Sequence, residues 1–188
     1  MRNAALAGFM LLLFALTGCA TVGHNLGSID NFDQVSSDLY RGAQPDARGV
    51  KMLASKYQVK TVINLRDSDD STEARQVREA GMTYIRLPLD AETVTEADAE
   101  KFLTLLAGAP KPVFVHCQVG RDRTGMAVAA YRVREQGWTV KDAVADMYAH
   151  GHFWMWFPKV RGAIAELGAK PRVQIVADTP KAGTAGAP

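Results

Sequence analysis

The sequence predicts an α/β domain with a central parallel or mixed sheet of four to five strands flanked by helices on both faces. Three observations carry that reading. Short β-branched runs at Thr61–Leu65, Thr83–Leu87 and Val113–Val115 alternate with stretches of helical period, which is the βαβ pattern. The strand runs are largely apolar, as in a parallel sheet covered on both sides. The 188 residues, 47% of them hydrophobic, suffice for one domain with a proper core and are too few for two ordinary ones.

Taken in order, the chain opens with Arg2 and an apolar stretch from Ala4 to Leu16, too short for a permanent membrane helix. Leu16-Thr17-Gly18-Cys19 follows and resembles the bacterial lipobox, in which the cysteine is lipidated and becomes the mature first residue. Residues 1–19 are therefore expected to be a lipoprotein signal peptide. Ala20 in place of aspartate resembles the sorting pattern for the outer membrane, so the expected location is the bacterial envelope, at its periplasmic face. Residues 20–31 form a linker of at most about 40 Å at roughly 3.3 Å per residue.

The catalytic domain is expected over 32–169. Gln34–Arg41 reads as an edge strand closed by the turn Gln44-Pro45-Asp46, and Val50, Leu53, Ala54 and Tyr57 mark a first helix. After the Thr61–Leu65 strand, Ser71–Ala80 is a weaker helix ending at Gly81. The Thr83–Leu87 strand precedes a helix over Thr95–Ala107, with Ala99, Phe102, Leu103 and Leu106 on one face. Thr93 with Glu96, or Thr95 with Asp98, would cap it. Beyond Val113–Val115, Ala127, Ala130 and Tyr131 suit a buried helix, Thr139–Tyr148 carries an apolar stripe, and Phe157, Val160, Ile164 and Leu167 mark the last helix. Residues 170–188 are rich in Pro, Gly and Ala without periodicity and read as a disordered tail.

The stretch that carries chemistry is Lys111-Pro-Val-Phe-Val-His-Cys-Gln-Val-Gly-Arg-Asp-Arg-Thr-Gly125. An apolar strand delivers His116 and Cys117, a loop holding Gln118, Val119, Gly120, Arg121 and Asp122 leads to Arg123, and Thr124 opens a helix. A loop curling into a helix amino terminus turns several N–H groups inward, and with the helix dipole it forms a cradle for a phosphate-like dianion. The same field favours thiolate over thiol at Cys117. Arg123 can offer a planar fork to two phosphoryl oxygens, which lysine cannot. His116 reads as a hydrogen-bond partner of the loop rather than a base, since a base beside a thiolate is redundant.

The pattern His-Cys-x5-Arg-Thr resembles the signature of the cysteine-dependent protein tyrosine and dual-specificity phosphatases. The variant with Gly120, Arg121, Asp122, Arg123, Thr124 and Gly125 is similar to the atypical bacterial, fungal and plant group and to the myotubularin lipid phosphatases. LYRGAQP at 39–45, TVINLRD at 61–67 and GMTYIRLPLD at 81–90 are also similar to the bacterial group. The resemblance covers about residues 32–165. It implies a protein tyrosine phosphatase-like fold and metal-independent hydrolysis of phosphate monoesters, without a cofactor, through a phosphocysteine at Cys117. Gln118 to Arg123 would bind the phosphate, Thr124 would hydrogen-bond the departing sulfur, and His116 and Arg66 would support the loop. Two carboxyls compete as proton donor: Asp90, at the place where many members of the superfamily carry their acid, and Asp122, which is preferred because the loop itself sets its position.

Substrate stays open between phosphotyrosine or phosphoserine proteins and phosphoinositides or inositol phosphates. Two other readings are a phosphate-binding envelope lipoprotein without turnover and a sulfur- or arsenate-handling enzyme. The latter would want a resolving cysteine, whereas acylation of Cys19 leaves Cys117 as the only thiol. With 22 basic against 20 acidic residues, nucleic acid is disfavoured, and a monomer tethered to the membrane is expected. His150 and His152 lack the companions of a metal site and read as a helix-end turn. Phe153, Trp154, Trp156 and Phe157 read as core or a helix-packing seam, with a membrane-facing patch as the other reading. Arg66 reads equally as an ion-pair partner or a second phosphate contact, and Arg86 as an ion-pair partner rather than a phosphate contact.

Overall fold

The computed structural model describes residues 29–68, 71–153 and 155–171. The expected signal peptide with Cys19, most of the linker, Trp154 and nearly all of the tail lie outside them. In chain order the elements are β1 (Asp33–Gln34), β2 (Leu39–Gly42), α1 (Ala47–Ser55), β3 (Thr61–Asn64), α2 (Ser71–Glu79), β4 (Thr83–Arg86), α3 (Glu96–Gly108), β5 (Val113–His116), α4 (Asp122–Arg134), α5 (Val140–Ala149) and α6 (Pro158–Ala169). The sheet runs β1-β2-β5-β3-β4, parallel except for β1.

The period-2 alternation of strand side chains explains the layering. Leu39, Ile63, Val113 and Val115 point to the face covered by α3, α4, α5 and α6, while Tyr40, Val62 and Phe114 point to the face covered by α1 and α2. A one-residue slip in any strand would exchange the two sets, so both cores pin the register. That register sets Gly42 and Asn64 on either side of His116, with Arg86 beyond Asn64. The strands thus end in one row, and the loops leaving them meet at a single edge.

Local signals close the helices. Asp46 accepts from the Gly49 amide at 2.7 Å, and Thr139 from the Asp142 amide at 3.1 Å. Of the two caps weighed for α3, Thr95 with Asp98 forms: the Asp98 carboxylate accepts the Thr95 amide at 3.0 Å. The chain leaves α2 through Gly81 at φ +79°, where a β-carbon would be strained. Helix α4 is buried on nearly all sides, and Gly125, Ala127, Ala129 and Ala130 are small enough to let it sit in the middle of its layer.

Two expectations need correcting. Gln34–Arg41 is not one edge strand: the chain turns between β1 and β2, with the Val35 amide donating to the Leu39 carbonyl at 2.9 Å. The edge is β1, and β2 lies inside the sheet against β5. Helix α4 also begins at Asp122 rather than Thr124, so both Asp122 and Arg123 belong to its first turn.

Candidate active site

The row of strand ends puts Cys117 directly after β5, 2% exposed, at the floor of the loop that climbs into α4. Gln118, Val119 and Arg121 are exposed around the mouth, whereas Gly120 is buried. Gly120 has φ +72°, and a β-carbon there would lie 2.6 Å from the Gly42 carbonyl carbon at the end of β2. Backbone packs on backbone at this point, so no other residue fits without moving the loop. The Gly120 carbonyl accepts from Asn31 Nδ2 at 2.9 Å and from Arg41 Nη2. Those two donors fix the carbonyl and with it the turn of the loop.

Arg41 is fully buried on β2. Burial pushes its guanidinium down to about 10, against opposing pulls from Asp146, Cys117 and Asp33, so it is still a cation at neutral pH. Its Nε and Nη1 have no acceptor among the described residues. Sequence reasoning places Arg41 at the strand ends but gives it no part in the loop.

Beneath the loop, His116 Nδ1 lies 3.1 Å from the Cys117 carbonyl, which can only accept, so the geometry puts a proton on Nδ1. Its Nε2 lies 2.8 Å from Glu73 Oε1 on α2, with both side chains buried. Glu73 Oε2 accepts from Asn64 Nδ2 at 2.9 Å and from the Tyr84 hydroxyl at 3.4 Å. His116 is therefore a brace, in keeping with its position beside the cysteine. Sequence reasoning misses Glu73; the available signal is an acidic residue on the face of α2 that Ala74 and Val77 turn to the core.

Arg123, on the first turn of α4, donates through Nη1 to Asp67 Oδ1 at 3.0 Å and to the Leu89 carbonyl at 3.1 Å. Arg86 in turn donates to the Asp67 carbonyl at 2.6 Å. One edge of the Arg123 guanidinium is thus anchored to the loops after β3 and β4, and Nε and Nη2, with no partner among the described residues, are left for a ligand. Arg123 holds the exposed Asp67 carboxyl below its ordinary range, chiefly by hydrogen bonding. Arg66 donates through Nη1 to the Gln44 side chain, and the Gln44 amide donates to the Gln118 carbonyl of the loop at 3.3 Å. Thr124 is fully buried at the base of α4, and its hydroxyl has no partner among the described residues.

The two carboxyls proposed as proton donor have different surroundings. Asp122 Oδ1 lies 2.6 Å from Nδ1 of the buried His152, in the turn after α5. Asp90 is exposed, accepts the Glu92 amide at 2.9 Å, and directly follows Leu89, whose carbonyl anchors Arg123. The preference for Asp122 does not fit this geometry, because its carboxylate is committed to His152. His152 is therefore more than a helix-end turn, whereas His150 caps α5 and reaches Asp33 Oδ2 at 3.3 Å. The aromatic seam is also corrected: Phe157 packs against the core, but Phe153 and Trp156 are exposed.

A βαβ sheet ending in a thiol, a glycine-pinned anion loop and an arginine on the following helix define a cysteine-dependent phosphatase. The model of the family described as "DSP-PTPase phosphatase fused to NAD+ Kinase" matches residues 20–152, and the chain belongs to this dual-specificity phosphatase family. It is a dual-specificity phosphatase-like hydrolase. The dual specificity protein phosphatase TpbA of Pseudomonas aeruginosa is 33% identical over 172 residues, covering 81% of this chain and 77% of TpbA. The crystal structure of TpbA superposes with a TM-score of 0.63 at 32% identity, over 73% of this chain and 88% of that one. A cysteine-to-serine form of TpbA in complex with phosphotyrosine gives the same TM-score of 0.63 at 32% identity, over 73% and 87% of the two chains. The catalytic core of the PP-IP phosphatase SIW14 of S. cerevisiae, at 19% identity and a TM-score of 0.63 over 72% of this chain and 84% of that one, shares the fold.

Proposed function

We propose that this phosphatase works through a covalent phosphocysteine. The Cys117 thiolate attacks phosphorus, a P–S bond forms, and the bond from phosphorus to the ester oxygen breaks. Asp90 gives its proton to that leaving oxygen. Water then attacks phosphorus and yields a proton to the Asp90 carboxylate, the P–S bond breaks, and inorganic phosphate leaves with the thiolate restored. Loop amides from Gln118 to Arg123 and the free edge of Arg123 carry the charge of the equatorial oxygens. Thr124 supplies a hydroxyl to the departing sulfur.

The single observation that carries this reading is the position of Cys117 at the floor of a loop whose turn at Gly120 is packed on Gly42 and held by Asn31 and Arg41. The test is p-nitrophenyl phosphate hydrolysis in the presence of chelator, with Cys117→Ser, together with mass spectrometry of acid-quenched enzyme. A phosphorylated Cys117 in the parent and no turnover in the variant are expected. Metal dependence, or an active Cys117→Ser variant, would overturn the mechanism.

For substrate, the phosphotyrosine complex of the related TpbA supports phosphoprotein, while the exposed Arg121 at the mouth supports multiply charged phosphates. A panel of phosphopeptides and inositol phosphates, compared by kcat/KM, separates them. The Leu16-Thr17-Gly18-Cys19 pattern supports lipid anchoring in the envelope. Palmitate label on the parent and none on Cys19→Ser is the expected result, and label retained by the variant would refute it.

A further inference from the structure

Outside the cradle, the surface feature that the phosphatase reading leaves unexplained is apolar. Of the six large hydrophobic side chains exposed among the described residues, five sit on the cradle loop or at the α5–α6 connection: Val119, Tyr148, Phe153, Met155 and Trp156. The last two are the most exposed, at 58% and 72%. Exposing apolar groups of this size in one place marks a contact surface.

Three contacts fasten this connection to the cradle. Asp122, at the start of α4, holds His152 at 2.6 Å, and Tyr148 stacks on His152 at 5.9 Å. Gly151 has φ +84° and lies under the Arg121 side chain, whose Nε a β-carbon there would approach to 3.1 Å. Beyond it, Phe153 and Trp156 meet edge to face at 5.6 Å.

Charge narrows the partner. Residues 147–165 contain no Asp or Glu, but they include Lys159 and Arg161, both exposed in the first turn of α6. Next to them, α5 and α6 leave a largely apolar groove of about 480 Å³ with Lys141 and Arg161 in its lining. Exposed aromatic and methionine side chains on a turn whose own stretch carries cations and no carboxylates, its nearby Asp122 and Asp33 being engaged by His152 and His150, match the interface of a negatively charged bilayer.

The chain's entry point gives an independent reason. The described chain begins at Ile29, and two residues later Asn31 Nδ2 donates to the carbonyls of Gly120 in the cradle and His150 at the end of α5, both at 2.9 Å. The amino-terminal segment thus joins the domain beside the cradle and beside the exposed aromatic turn. A lipid on Cys19 would lie ten residues away, within about 33 Å at roughly 3.3 Å per residue.

We infer that the rim formed by Val119, Phe153, Met155 and Trp156, with Arg121, Lys159 and Arg161 around it, docks on the surface of an anionic bilayer. The mouth of the cradle then lies close to the headgroups, and monoesters displayed at the membrane are presented to Cys117. A single lipid tether leaves a domain free to rotate, whereas a second, interfacial contact orients it.

Among the described residues every core residue lies between Ile29 and Leu167, so the chain from residue 20 onward contains all of the described fold. That chain, which lacks Cys19's lipid because it lacks Cys19, is sedimented with vesicles of phosphatidylglycerol and phosphatidylethanolamine, and with phosphatidylcholine alone. Binding to the anionic vesicles is expected, with a blue shift of tryptophan emission that Trp156→Phe abolishes. The combined variant Phe153→Ser, Met155→Ser, Trp156→Ser should bind about tenfold more weakly or worse, while hydrolysing soluble p-nitrophenyl phosphate like the parent. Absence of binding, or unchanged binding by the triple variant, overturns the inference. Absence of vesicle binding together with a loss of activity confined to phosphoprotein substrates would assign the rim to a protein partner instead. Because binding is read without turnover and without the anchor, failure here is distinguishable from failure of the phosphocysteine mechanism or of Cys19 lipidation.

Discussion

Arg41 and Gly120 meet inside the protein, where the buried guanidinium donates through Nη2 to the carbonyl of the residue that turns the phosphate loop. The cation is incompletely matched: Nε and Nη1 have no acceptor among the described residues, and burial has already lowered the group to about 10. Because the folded-state value lies below the ordinary one, keeping Arg41 charged costs stability at every pH below about 10. Arg41→Met removes that cost and also the clamp. The expected outcome is a kcat/KM for p-nitrophenyl phosphate lower by on the order of 10²-fold, with a melting temperature equal to the parent's or higher. Arg41→Lys, which keeps charge and one donor, should fall between them. Parental kcat/KM in Arg41→Met would show that Asn31 alone suffices to hold the loop.

Two glycines with the same backbone conformation offer a controlled comparison. At Gly81 (φ +79°) an added methyl group would meet nothing within 4 Å, whereas at Gly120 (φ +72°) it would lie 2.6 Å from the Gly42 carbonyl carbon. Gly81→Ala should therefore cost only the left-handed backbone strain, about 1 kcal/mol, and leave hydrolysis unchanged. Gly120→Ala carries the same strain plus a clash with β2 and should lose activity by more than about 10²-fold. Denaturant midpoints and p-nitrophenyl phosphate kinetics of the two variants check this. Equal activity losses would mean that the packing of Gly120 on Gly42 does not matter.

Asp67 and Arg123 set the direction of the guanidinium. Arg123 depresses the Asp67 carboxyl, so the contact is fully present above the ordinary carboxylate value, about 3.9, and is lost only as the pH falls through the lower, folded-state value. Asp67 is exposed, so its effect on stability is small. Its effect is on aim. In Asp67→Asn, KM for aryl phosphate should rise several-fold, on the order of 1 kcal/mol, with kcat changed less. Inhibition by inorganic phosphate should weaken in parallel. A fall in kcat at unchanged KM would show that Asp67 acts on the chemical step instead.

How much of this is legible in the sequence depends on distance along the chain. Cys117, Gly120 and Arg123 lie within seven residues of one another, and strand, turn and helix chemistry order them without help from the rest of the fold. The braces come from far away: Arg41 from β2, Glu73 from α2 and His152 from the turn after α5. Only the register that sets Gly42 opposite His116 brings β2 under the loop, and no local pattern encodes that pairing. The Gln34–Arg41 segment misleads for a similar reason, because a two-residue edge strand is stabilised by its neighbour rather than by its own residues. Phe153 and Trp156 read as core because periodicity and composition record that a residue is apolar, not whether anything covers it.

The proton donor is where sequence spacing and geometry part. Asp122 has a fixed place in the loop, but its carboxylate is already engaged by His152, with Oδ1 2.6 Å from Nδ1. Asp90 has no cation against it among the described residues, is exposed, and directly follows Leu89, whose carbonyl anchors Arg123. A general acid matters most when the leaving oxygen is poor, and its removal then costs about 10²- to 10⁴-fold. Asp90→Asn should therefore slow an alkyl phosphate by that much and p-nitrophenyl phosphate far less, since nitrophenolate leaves without help. Asp122→Asn should affect both substrates alike and lower the melting temperature, because His152 loses its only partner among the described residues at Nδ1. His152→Gln should reproduce the Asp122→Asn phenotype rather than the Asp90→Asn one. If instead Asp122→Asn selectively slows the alkyl phosphate while Asp90→Asn does not, the proton comes from the loop itself, and the His152 contact must open during turnover.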